Sequence, residues 1–552
     1  MEMFNAWIRE LGLEDVQVDN RLFTWSNKRS SPTLVKLDRV LVNAAWGLCF
    51  AQTSASVVPA TTSDHTPIVL QFQTEAIKSS LFRMENHWLH MEETRHIIQD
   101  CWSRGCRTIL SSASLIYFKM RRVQAAIWQW SRRRPSLKLL IENNKHVVSF
   151  ICAVEERRSL SLMEVVLREF ASAKAEQLIL WQAAMWKRRA KLRWCVSGDE
   201  NCKKIHVAAN SQARRNKVRV LVDDGAHYYQ NCQKIQLATA YFANILWQPA
   251  PSLPTVQLSD LYSPVDLSEL VNVFSWAELV RAIDMSPNNG SPGPDGFTNE
   301  FYKAFKHLLK DDLLKFFGNF HANQVALDGI NTAYITLLPK VDTPMELRDF
   351  RPISLVHSAP KLVSKVLTCR LQRCIPDLVH SLQSGFLRGR SIVENFALAA
   401  EMIQAAHKRR APVIALKLDF RKAFDSVSWD CLTQVLEARG FPPLWIQWIH
   451  ALLSTGRSRV LINGEPGDPI LAKRGFRQGD SLSPYLFILV ADVLQRLCCW
   501  HFQNGTLMHP LGSHGFFPVL QYADDALIIF RGEWSKPESL RISSLPSLRS
   551  QG

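Results

Sequence analysis

Two adjacent carboxylates stand at the junction of two apolar runs near the C-terminal end of the chain. Residues 518–520 and 526–530 are apolar, and residues 522–525 between them read Tyr-Ala-Asp-Asp. This order of apolar run, polar point and apolar run is typical of two strands joined by a tight turn. Asp524 and Asp525 are therefore either an ordinary polar turn or part of a cation site, because unpaired carboxylates beside buried strands are costly.

A third carboxylate, Asp419, ends the apolar run 413–418. Mg²⁺ binds through one or two carboxylates together with phosphate oxygens, and two such ions about 3.5–4 Å apart can clamp an in-line phosphoryl transfer. We therefore expect Asp419, Asp524 and Asp525 to meet at one cleft. The expected cofactors are two Mg²⁺ ions, with Mn²⁺ as the alternative metal.

The length of 552 residues predicts two to four domains, and 47% apolar with 21% charged residues is typical of a soluble globular protein. No apolar run approaches the ~20 residues of a membrane helix, and the N-terminus lacks a basic stretch followed by an apolar core. The twelve cysteines contain no C-x-x-C pair, which favours reduced thiols over a disulfide framework or a zinc site. An intracellular protein without a membrane partner is expected.

The formal net charge of +16 is concentrated in two segments. Residues 119–138 contain seven Lys or Arg and no acid, and residues 187–219 contain eleven Lys or Arg against two acids. Four tryptophans lie among or beside these charges: Trp128, Trp130, Trp186 and Trp194. Basic side chains near stacking aromatics suit nucleic acid. A solvated helix face with inward tryptophans, or an acidic protein partner, remains open.

Composition divides the chain into four regions: 1–75, 76–269, 270–532 and 533–552. The first is predicted to form short strands, at 22–27, 37–42 and 67–72. The second is mainly helical, because apolar residues recur at helical spacing over 155–186, and it ends in a proline-marked linker. The third mixes helices and strands, and the Ser-containing fourth is predicted to be a disordered tail.

Several local signals follow one another in the third region. A dense turn at 292–296, Pro-Gly-Pro-Asp-Gly, precedes a predicted helix over 299–310. Lys340 ends one predicted strand, and Arg351 lies at the edge of the next. This pair could hold a triphosphate, the arginine by its planar fork and the lysine as a point charge.

A glycine-bearing loop at 475–484 leads into a predicted helix over 485–500. Ser483 is the expected N-cap and Pro484 the first helical residue. Glycines in such a loop permit close approach of the backbone to a ligand. Gln478 in the same loop offers an amide that can both donate and accept hydrogen bonds.

These motifs, in this order, resemble the reverse transcriptase domain of LINE-type (non-LTR) retrotransposons, most closely the plant branch. Besides the turn at 292–296, the matching motifs are Phe-Arg-Pro-Ile-Ser-Leu at 350–355, Gln-Ser-Gly-Phe at 383–386, Leu-Asp-Phe-Arg-Lys-Ala-Phe-Asp at 418–425, Arg-Gln-Gly-Asp-Ser-Leu-Ser-Pro at 477–484 and Tyr-Ala-Asp-Asp at 522–525. The resemblance implies an α+β right-hand polymerase with fingers and palm. It also implies RNA-directed DNA polymerase activity, with an RNA template, a DNA primer or target and deoxynucleoside triphosphates as partners, in the nucleus and cytoplasm.

The resemblance also implies roles for single residues. Asp419 and Asp524 would be the principal metal ligands, with Asp525 beside them and the main-chain carbonyl of Phe420 contributing.

Two further residues would contact the nucleotide or template. Phe424 matches the bulky side chain that blocks a ribose 2′-hydroxyl, the group that distinguishes RNA from DNA, although a plain core aromatic is the alternative. Gln478 would lie near the incoming nucleotide and template.

The first region resembles the C-terminal end of an apurinic-endonuclease-like domain. In that family the pair matching Asp64 and His65 belongs to the catalytic centre, and the residue matching Asp38 orients the histidine. Only about the last third of such an α/β sandwich would fit, so a partial endonuclease remnant is expected. Residues 194–206 resemble the link region of plant elements.

The resemblance predicts further palm strands and a helical thumb after residue 530, where the sequence instead has the polar segment 533–552. We therefore expect a polymerase truncated at both ends, with the thumb missing. Two functions stay open: an RNA-directed DNA polymerase, and a catalytically inactive nucleic-acid-binding remnant. An isolated endonuclease is disfavoured, because half of a two-sheet sandwich cannot keep a normal core.

Overall fold

The computed structural model describes residues 2–532 apart from these gaps: 17, 19–20, 22, 30, 44–45, 47–49, 51–52, 59–62, 73–80, 106–109, 191–202, 248–257, 421 and 513–517. The predicted disordered tail and Trp194 lie outside the described residues.

Helices and strands are mixed along the chain. The α-helices are α1 (Glu2–Glu10), α2 (Glu92–Ser103), α3 (Ser112–Arg133), α4 (Leu137–Glu155), α5 (Leu162–Ala190), α6 (Lys203–Arg215), α7 (Asn231–Trp247), α8 (Trp276–Asp284), α9 (Asn299–His321), α10 (Ser358–Leu378), α11 (Ile392–Lys408), α12 (Ala423–Ser426), α13 (Trp429–Ala438), α14 (Pro443–Ser454) and α15 (Ser483–Gln503). The strands are β1 (Glu14–Val16), β2 (Trp25–Ser26), β3 (Leu34–Val35), β4 (Val40–Val42), β5 (Ser54–Val57), β6 (Ile68–Gln71), β7 (Leu221–Asp223), β8 (Ala226–Tyr228), β9 (Thr332–Pro339), β10 (Phe350–Val356), β11 (Val413–Asp419), β12 (Arg457–Ile462), β13 (Glu465–Leu471), β14 (Val519–Tyr522) and β15 (Asp525–Arg531).

The N-terminal region consists of short antiparallel pairs, β1 with β4, β2 with β3 and β5 with β6. These strands are shorter than predicted, and α1 was not predicted at all. The predicted strand at 37–42 begins only at Val40, because the backbone N–H groups of Leu37 and Asp38 donate to the Thr24 hydroxyl instead of a ladder. The small core of this region contains the buried side chains of Val16 and Ala55.

Two hydrophobic cores cross the boundary predicted between residues 269 and 270. Apolar residues of α2 and α3 pack in one cluster with α9, α10, α14 and α15. Trp102 and Lys119 of these early helices both contact the Asp312 carboxylate, at 2.8 and 2.7 Å. Likewise, α7 packs against β9, β12 and β13. The helices α2, α3 and α7 are therefore structural parts of the region that follows.

The predicted helical stretch over 155–186 starts at the last residue of α4 and, after a break, continues in α5, which packs against α4. The break between the two helices has a local cause. The Ser161 hydroxyl accepts from the Glu164 backbone N–H at 3.4 Å, while the Glu164 carboxylate accepts from the Ser161 backbone N–H at 2.8 Å. This reciprocal pair is a capping box, which starts a new helix.

A four-stranded sheet has the order β10-β9-β12-β13. The predicted strands carrying Lys340 and Arg351 form its antiparallel pair β9–β10, and β9 also pairs in parallel with β12. The predicted helix after the 292–296 turn continues beyond residue 310 to His321, because its buried face remains apolar as far as Phe320.

A three-stranded sheet has the order β11-β15-β14. The hairpin predicted from the two apolar runs forms, and β11 pairs with it as expected. Ile528 and Phe530 pack beneath α15 on one face, whereas Ile529 packs beside α11 on the other. The sheet is therefore buried on both faces, which fixes its register.

The start of α15 differs from the prediction. Leu482, with φ −85° and ψ −33°, precedes the helix as its N-cap and makes no side-chain cap hydrogen bond. Ser483 is already helical, because the backbone N–H groups of Tyr485 and Leu486 both donate to the Leu482 carbonyl. Within the described residues α15 is the one helix long and apolar enough to cross a membrane, but 56% of that apolar stretch is buried, as expected for a core helix.

Candidate active site

Three carboxylates meet at one end of the three-stranded sheet. Asp419 and Asp525 are directly opposed in the register of β11 and β15. Opposed residues of an antiparallel pair point to the same face, with Cβ atoms about 4.5–5.5 Å apart. Both are exposed, and Asp524 lies half-buried in the adjoining turn. The predicted carboxylates are thus brought to a common edge.

The turn that carries Asp524 is held by a neighbouring segment. Ala523 has φ +54°, in the left-handed region, and its backbone N–H donates to the Gln383 side-chain oxygen at 2.9 Å. A Cβ added at Gly385 would lie 2.4 Å from the Ala523 nitrogen, so only glycine allows this close approach.

The electrostatics of the cluster favour a cation. Burial raises the pKa of Asp524, and the charges of Asp525 and Asp419 raise it further. Among the residues that the structure describes, none of the three carboxylates has an ion-pair partner. The third carboxylate, Asp419, lies opposite Asp525 in the strand register.

A prebuilt metal cage is absent from the described part of the chain, where no group of three His, Cys, Asp or Glu side chains is arranged to hold an ion. Mg²⁺ commonly needs only one or two carboxylates and takes its other ligands from water and substrate phosphates. The donor set of Asp419 and Asp524 therefore fits ions that bind together with a nucleotide.

Phe424 follows the carboxylate strand on the short helix α12. Its ring stacks on Phe487 with centroids 4.4 Å apart and planes 13° apart, and it meets Phe386 edge-on at 6.3 Å. The side chain is half-buried. Phe424 is thus fixed by core packing yet keeps an accessible part, so the core role and a role toward a sugar are compatible. The Phe420 side chain packs partly into the core.

Gln478 sits between the four-stranded sheet and α12. Its main-chain oxygen accepts from the Ser354 N–H of β10 at 2.6 Å, and its side-chain amide donates to the Asp425 carboxylate at 3.4 Å. Burial raises the pKa of Asp425 to about 6, opposed by Lys422 and by the Gln478 hydrogen bond. Sequence reasoning assigned no role to Asp425, although it is the second carboxylate of the 418–425 motif.

The neighbours of Gln478 in its loop point inward. Arg477 donates to the side-chain and main-chain oxygens of Asn331, at 2.5 and 3.0 Å. Burial lowers the pKa of Arg477 to about 10 and raises the pKa of Asp480. These two side chains anchor the loop, and Gln478 beside them is half-buried.

Lys340 follows β9 directly, and Arg351 lies on its antiparallel partner β10, where it is exposed and opposite Leu338. The Lys340 ammonium donates to the Arg348 carbonyl at 3.0 Å. Both cations are accessible, but the lysine must exchange a main-chain partner before it can bind a phosphate.

Comparison with known proteins identifies the family that part of this chain resembles. Residues 338–543 match the family described as reverse transcriptase (RNA-dependent DNA polymerase). The chain carries a reverse transcriptase domain of the non-LTR retrotransposon type.

Three relatives illustrate the similarity. The chain is 28% identical over 309 residues to the "Transposon TX1 uncharacterized 149 kDa protein" of Xenopus laevis, covering 56% of this chain and 23% of the relative. It is 27% identical over 264 residues to the "Retrovirus-related Pol polyprotein from type-2 retrotransposable element R2DM" of Drosophila melanogaster, covering 47% and 24%. It is 28% identical over 251 residues to the "Probable RNA-directed DNA polymerase from transposon BS" of the same fly, covering 43% and 26%. The chain thus spans about a quarter of the length of each relative.

Two tryptophans of the first basic segment, residues 119–138, pack toward the interior of the protein. Trp128 and Trp130 pack against its main core. The guanidinium groups of Arg132 and Arg134 cover their rings at 4.7 and 5.0 Å. This favours inward tryptophans over base-stacking platforms, while the exposed charges of the segment stay available to a phosphate backbone.

Outside the reverse transcriptase domain, the structure brings Asp38 and His65 together through a 2.9 Å contact between Oδ2 and Nδ1. This hydrogen bond raises the pKa of His65 and lowers the pKa of Asp38. Asp64 instead accepts from the Trp25 indole at 2.8 Å. The contact is the one expected of an orienting aspartate, and the endonuclease assignment stays a prediction.

Proposed function

We propose that the reverse transcriptase domain catalyses RNA-templated DNA synthesis, in which a primer 3′-hydroxyl attacks the α-phosphate of a deoxynucleoside triphosphate. The observation that carries this proposal is the register that opposes Asp419 to Asp525, with Asp524 in the adjoining turn. In this proposal the three-stranded sheet belongs to the palm, and the four-stranded sheet belongs to the fingers.

Asp419 and Asp524 would hold two Mg²⁺ ions, with Asp525 and the Phe420 carbonyl beside them. When bound, such ions neutralise charge on the transferred phosphoryl group and orient the attacking and leaving oxygens. The unpaired carboxylates and the raised pKa of Asp524 support this assignment.

The remaining predicted residues would bind the nucleotide. Arg351 and Lys340 would contact the triphosphate as a planar fork and a point charge. Phe424, held by its stack on Phe487, would exclude a ribose 2′-hydroxyl. Gln478, anchored to β10, would contact the nucleotide and template. Positioning by such fixed groups dominates phosphoryl transfer.

The expected partners are an RNA template and a DNA primer or target, gripped in part by the basic segments 119–138 and 187–219. Kinship with the plant branch, an endonuclease remnant around Asp38, Asp64 and His65, and residence in the nucleus and cytoplasm belong to the same proposal. The contact between His65 and Asp38 supports the remnant.

Primer extension on an RNA template tests the proposal. Wild type should extend a primer only with Mg²⁺ or Mn²⁺, and Asp524→Asn should not. Equal extension by the variant would show that the assigned metal site is wrong. A chain that never extends, yet binds nucleic acid with a steep salt dependence, would favour the inactive binding remnant.

A further inference from the structure

The segment Gln383-Ser384-Gly385-Phe386 lies directly against the turn of the carboxylate hairpin. The Gln383 side chain is fully buried, with 0% exposure. Its oxygen accepts two backbone N–H bonds at 2.9 Å each, one from Gly385 and one from Ala523. Because both partners are N–H donors, the amide can be oriented in only one way, with its oxygen toward the turn.

The hydrogen bond from the Ala523 N–H to the Gln383 oxygen stabilises an unfavourable backbone conformation. Ala523 has φ +54°, and a residue with a Cβ enters this left-handed region at an energetic cost. Such a conformation persists when the surroundings over-determine it. Since Ala523 immediately precedes Asp524, fixing its backbone fixes the direction in which Asp524 leaves the turn.

The segment itself is firmly attached to β14. The Ser384 N–H donates to the Gln521 carbonyl at 2.9 Å, and the Gln521 N–H donates to the Leu382 carbonyl at 3.1 Å. The Asn395 amide also donates to the Gln521 carbonyl at 3.1 Å. The acceptor oxygen of Gln383 is therefore held by a rigid support.

A contribution to the stability of the fold does not explain why a glutamine occupies position 383. Its side-chain nitrogen is buried and has no hydrogen-bond partner among the described residues, which is costly for an N–H donor. What the amide does provide is the acceptor oxygen beneath the turn.

We propose that Gln383 is a positioning residue of the active site: its oxygen holds the Ala523 N–H and thereby directs the Asp524 carboxylate toward Asp419. This inference rests on the proposed function for its effect on catalysis. The hydrogen bond itself can be tested without catalysis.

The first experiment measures Mn²⁺ binding to the full chain, from the electron paramagnetic resonance signal of free Mn²⁺. Gln383→Met keeps the size but removes the strong acceptor, and it should weaken binding by about tenfold or more, as for other groups that support metal ligands. Gln383→Glu keeps an acceptor oxygen and should bind at least as tightly as wild type. Asn395→Ala, the matched control, loosens the same segment but keeps the Gln383 oxygen and its bond to Ala523, so it should lower the Tm while weakening Mn²⁺ binding much less than Gln383→Met.

A second arm needs no metal. Amide hydrogen exchange of a peptide covering the turn should be faster in Gln383→Met and unchanged in Gln383→Glu. Should Gln383→Met fail to fold, Gly385→Ala displaces the turn from the same side and should weaken Mn²⁺ binding likewise.

Two results would overturn the inference: unchanged turn exchange in Gln383→Met, or equal loss of Mn²⁺ affinity in Gln383→Met and Asn395→Ala. Asp524→Asn separates this failure from that of the proposed function. If Asp524→Asn binds Mn²⁺ like wild type, the metal site is wrong, and the exchange arm still decides whether Gln383 holds the turn.

Discussion

The two carboxylate sites of this chain differ in what holds their side chains. The cluster of Asp419 and Asp524 lies on a sheet buried on both faces, and a buried glutamine fixes its turn. Asp38 and His65 are exposed and meet through one hydrogen bond, beside a core with only a few buried side chains.

The difference shows that functional side chains can be held in place by a buried framework or can lie exposed beside their partner. In the first site the backbone orients the carboxylates before any ligand arrives, and the proposed catalysis would gain from such preorganisation. In the second, both side chains are exposed, and exposed pairs contribute little to stability. Five experiments can break or sharpen this contrast.

The largest effect is expected from Asp524→Asn. Loss of a direct metal ligand should exceed the 10–100-fold cost typical of supporting groups, so RNA-templated extension should fall by more than about a hundredfold. Asp468→Asn is the matched control, since Asp468 is an exposed strand carboxylate of the other sheet. A comparable loss in that control would point to a general charge effect.

Phe424→Val should change sugar selection. Shortening the side chain opens space beside the sugar, so the preference for deoxynucleotides should fall by roughly tenfold or more. The measurement compares kcat/KM for a deoxynucleotide and its ribonucleotide. Phe487→Leu removes the stacking partner at 4.4 Å and should relax selection less. Unchanged selection in Phe424→Val would leave the residue a plain core aromatic.

Shortening a buried side chain should have different effects on activity in the three-stranded sheet and in the N-terminal core. Ile529, with 0% exposure, lies in the sheet that carries Asp419 and Asp525, and Ile529→Ala should lower the free energy of unfolding by about 2–5 kcal/mol and reduce extension. Val16→Ala, in the small N-terminal core, should cost about 2 kcal/mol at ~0.8 kcal/mol per CH₂ and leave extension unchanged. Denaturant unfolding and extension assays check both; lost extension in Val16→Ala would mean the regions are coupled.

The elements with strong local signals were predictable from sequence. The hairpin at Asp524, its pairing with β11, the strands of Lys340 and Arg351 and the helix after Ser483 follow from alternation and turn chemistry, which act over a few residues. The N-cap was misplaced by one residue because backbone angles, and not residue type alone, decide where a helix begins.

What the sequence could not provide was the identity of distant partners. No local sequence pattern indicates that α3 packs against α9, so the boundary predicted at 269/270 separated residues that share a core. Gln383 belongs to a motif visible in the sequence, but its role was not predictable because it depends on a hydrogen bond to Ala523, 140 residues away. Asp425 was missed for the same reason, since its partner Gln478 lies 53 residues further along the chain.

A buried titrating group should give the reverse transcriptase domain its own pH dependence. The pKa of Asp425 is raised to about 6, so between about pH 4, its ordinary pKa, and pH 6 the folded state binds more protons than the unfolded state. Stability should therefore fall as pH rises through this window. Asp425→Asn should flatten the dependence in denaturant unfolding at pH 4, 5 and 6. If the free energy of unfolding of Asp425→Asn depends on pH as steeply as that of wild type, another group causes the dependence.

The exposed pair should behave in the opposite manner and more weakly. The raised pKa of His65 adds stability that is present below about pH 6.5 and is lost as pH rises through the raised pKa. The lowered pKa of Asp38 adds stability that is present above about pH 3.9 and is lost as pH falls through the lowered pKa. Hydrogen-exchange protection of β5 and β6 should therefore be greatest between these limits. His65→Gln should remove the maximum while leaving protection of β11 and β15 unchanged. Because the contact is exposed, the maximum should be shallow and should shrink with added salt; a deep maximum that survives high salt would show that this pair is held by more than its single hydrogen bond.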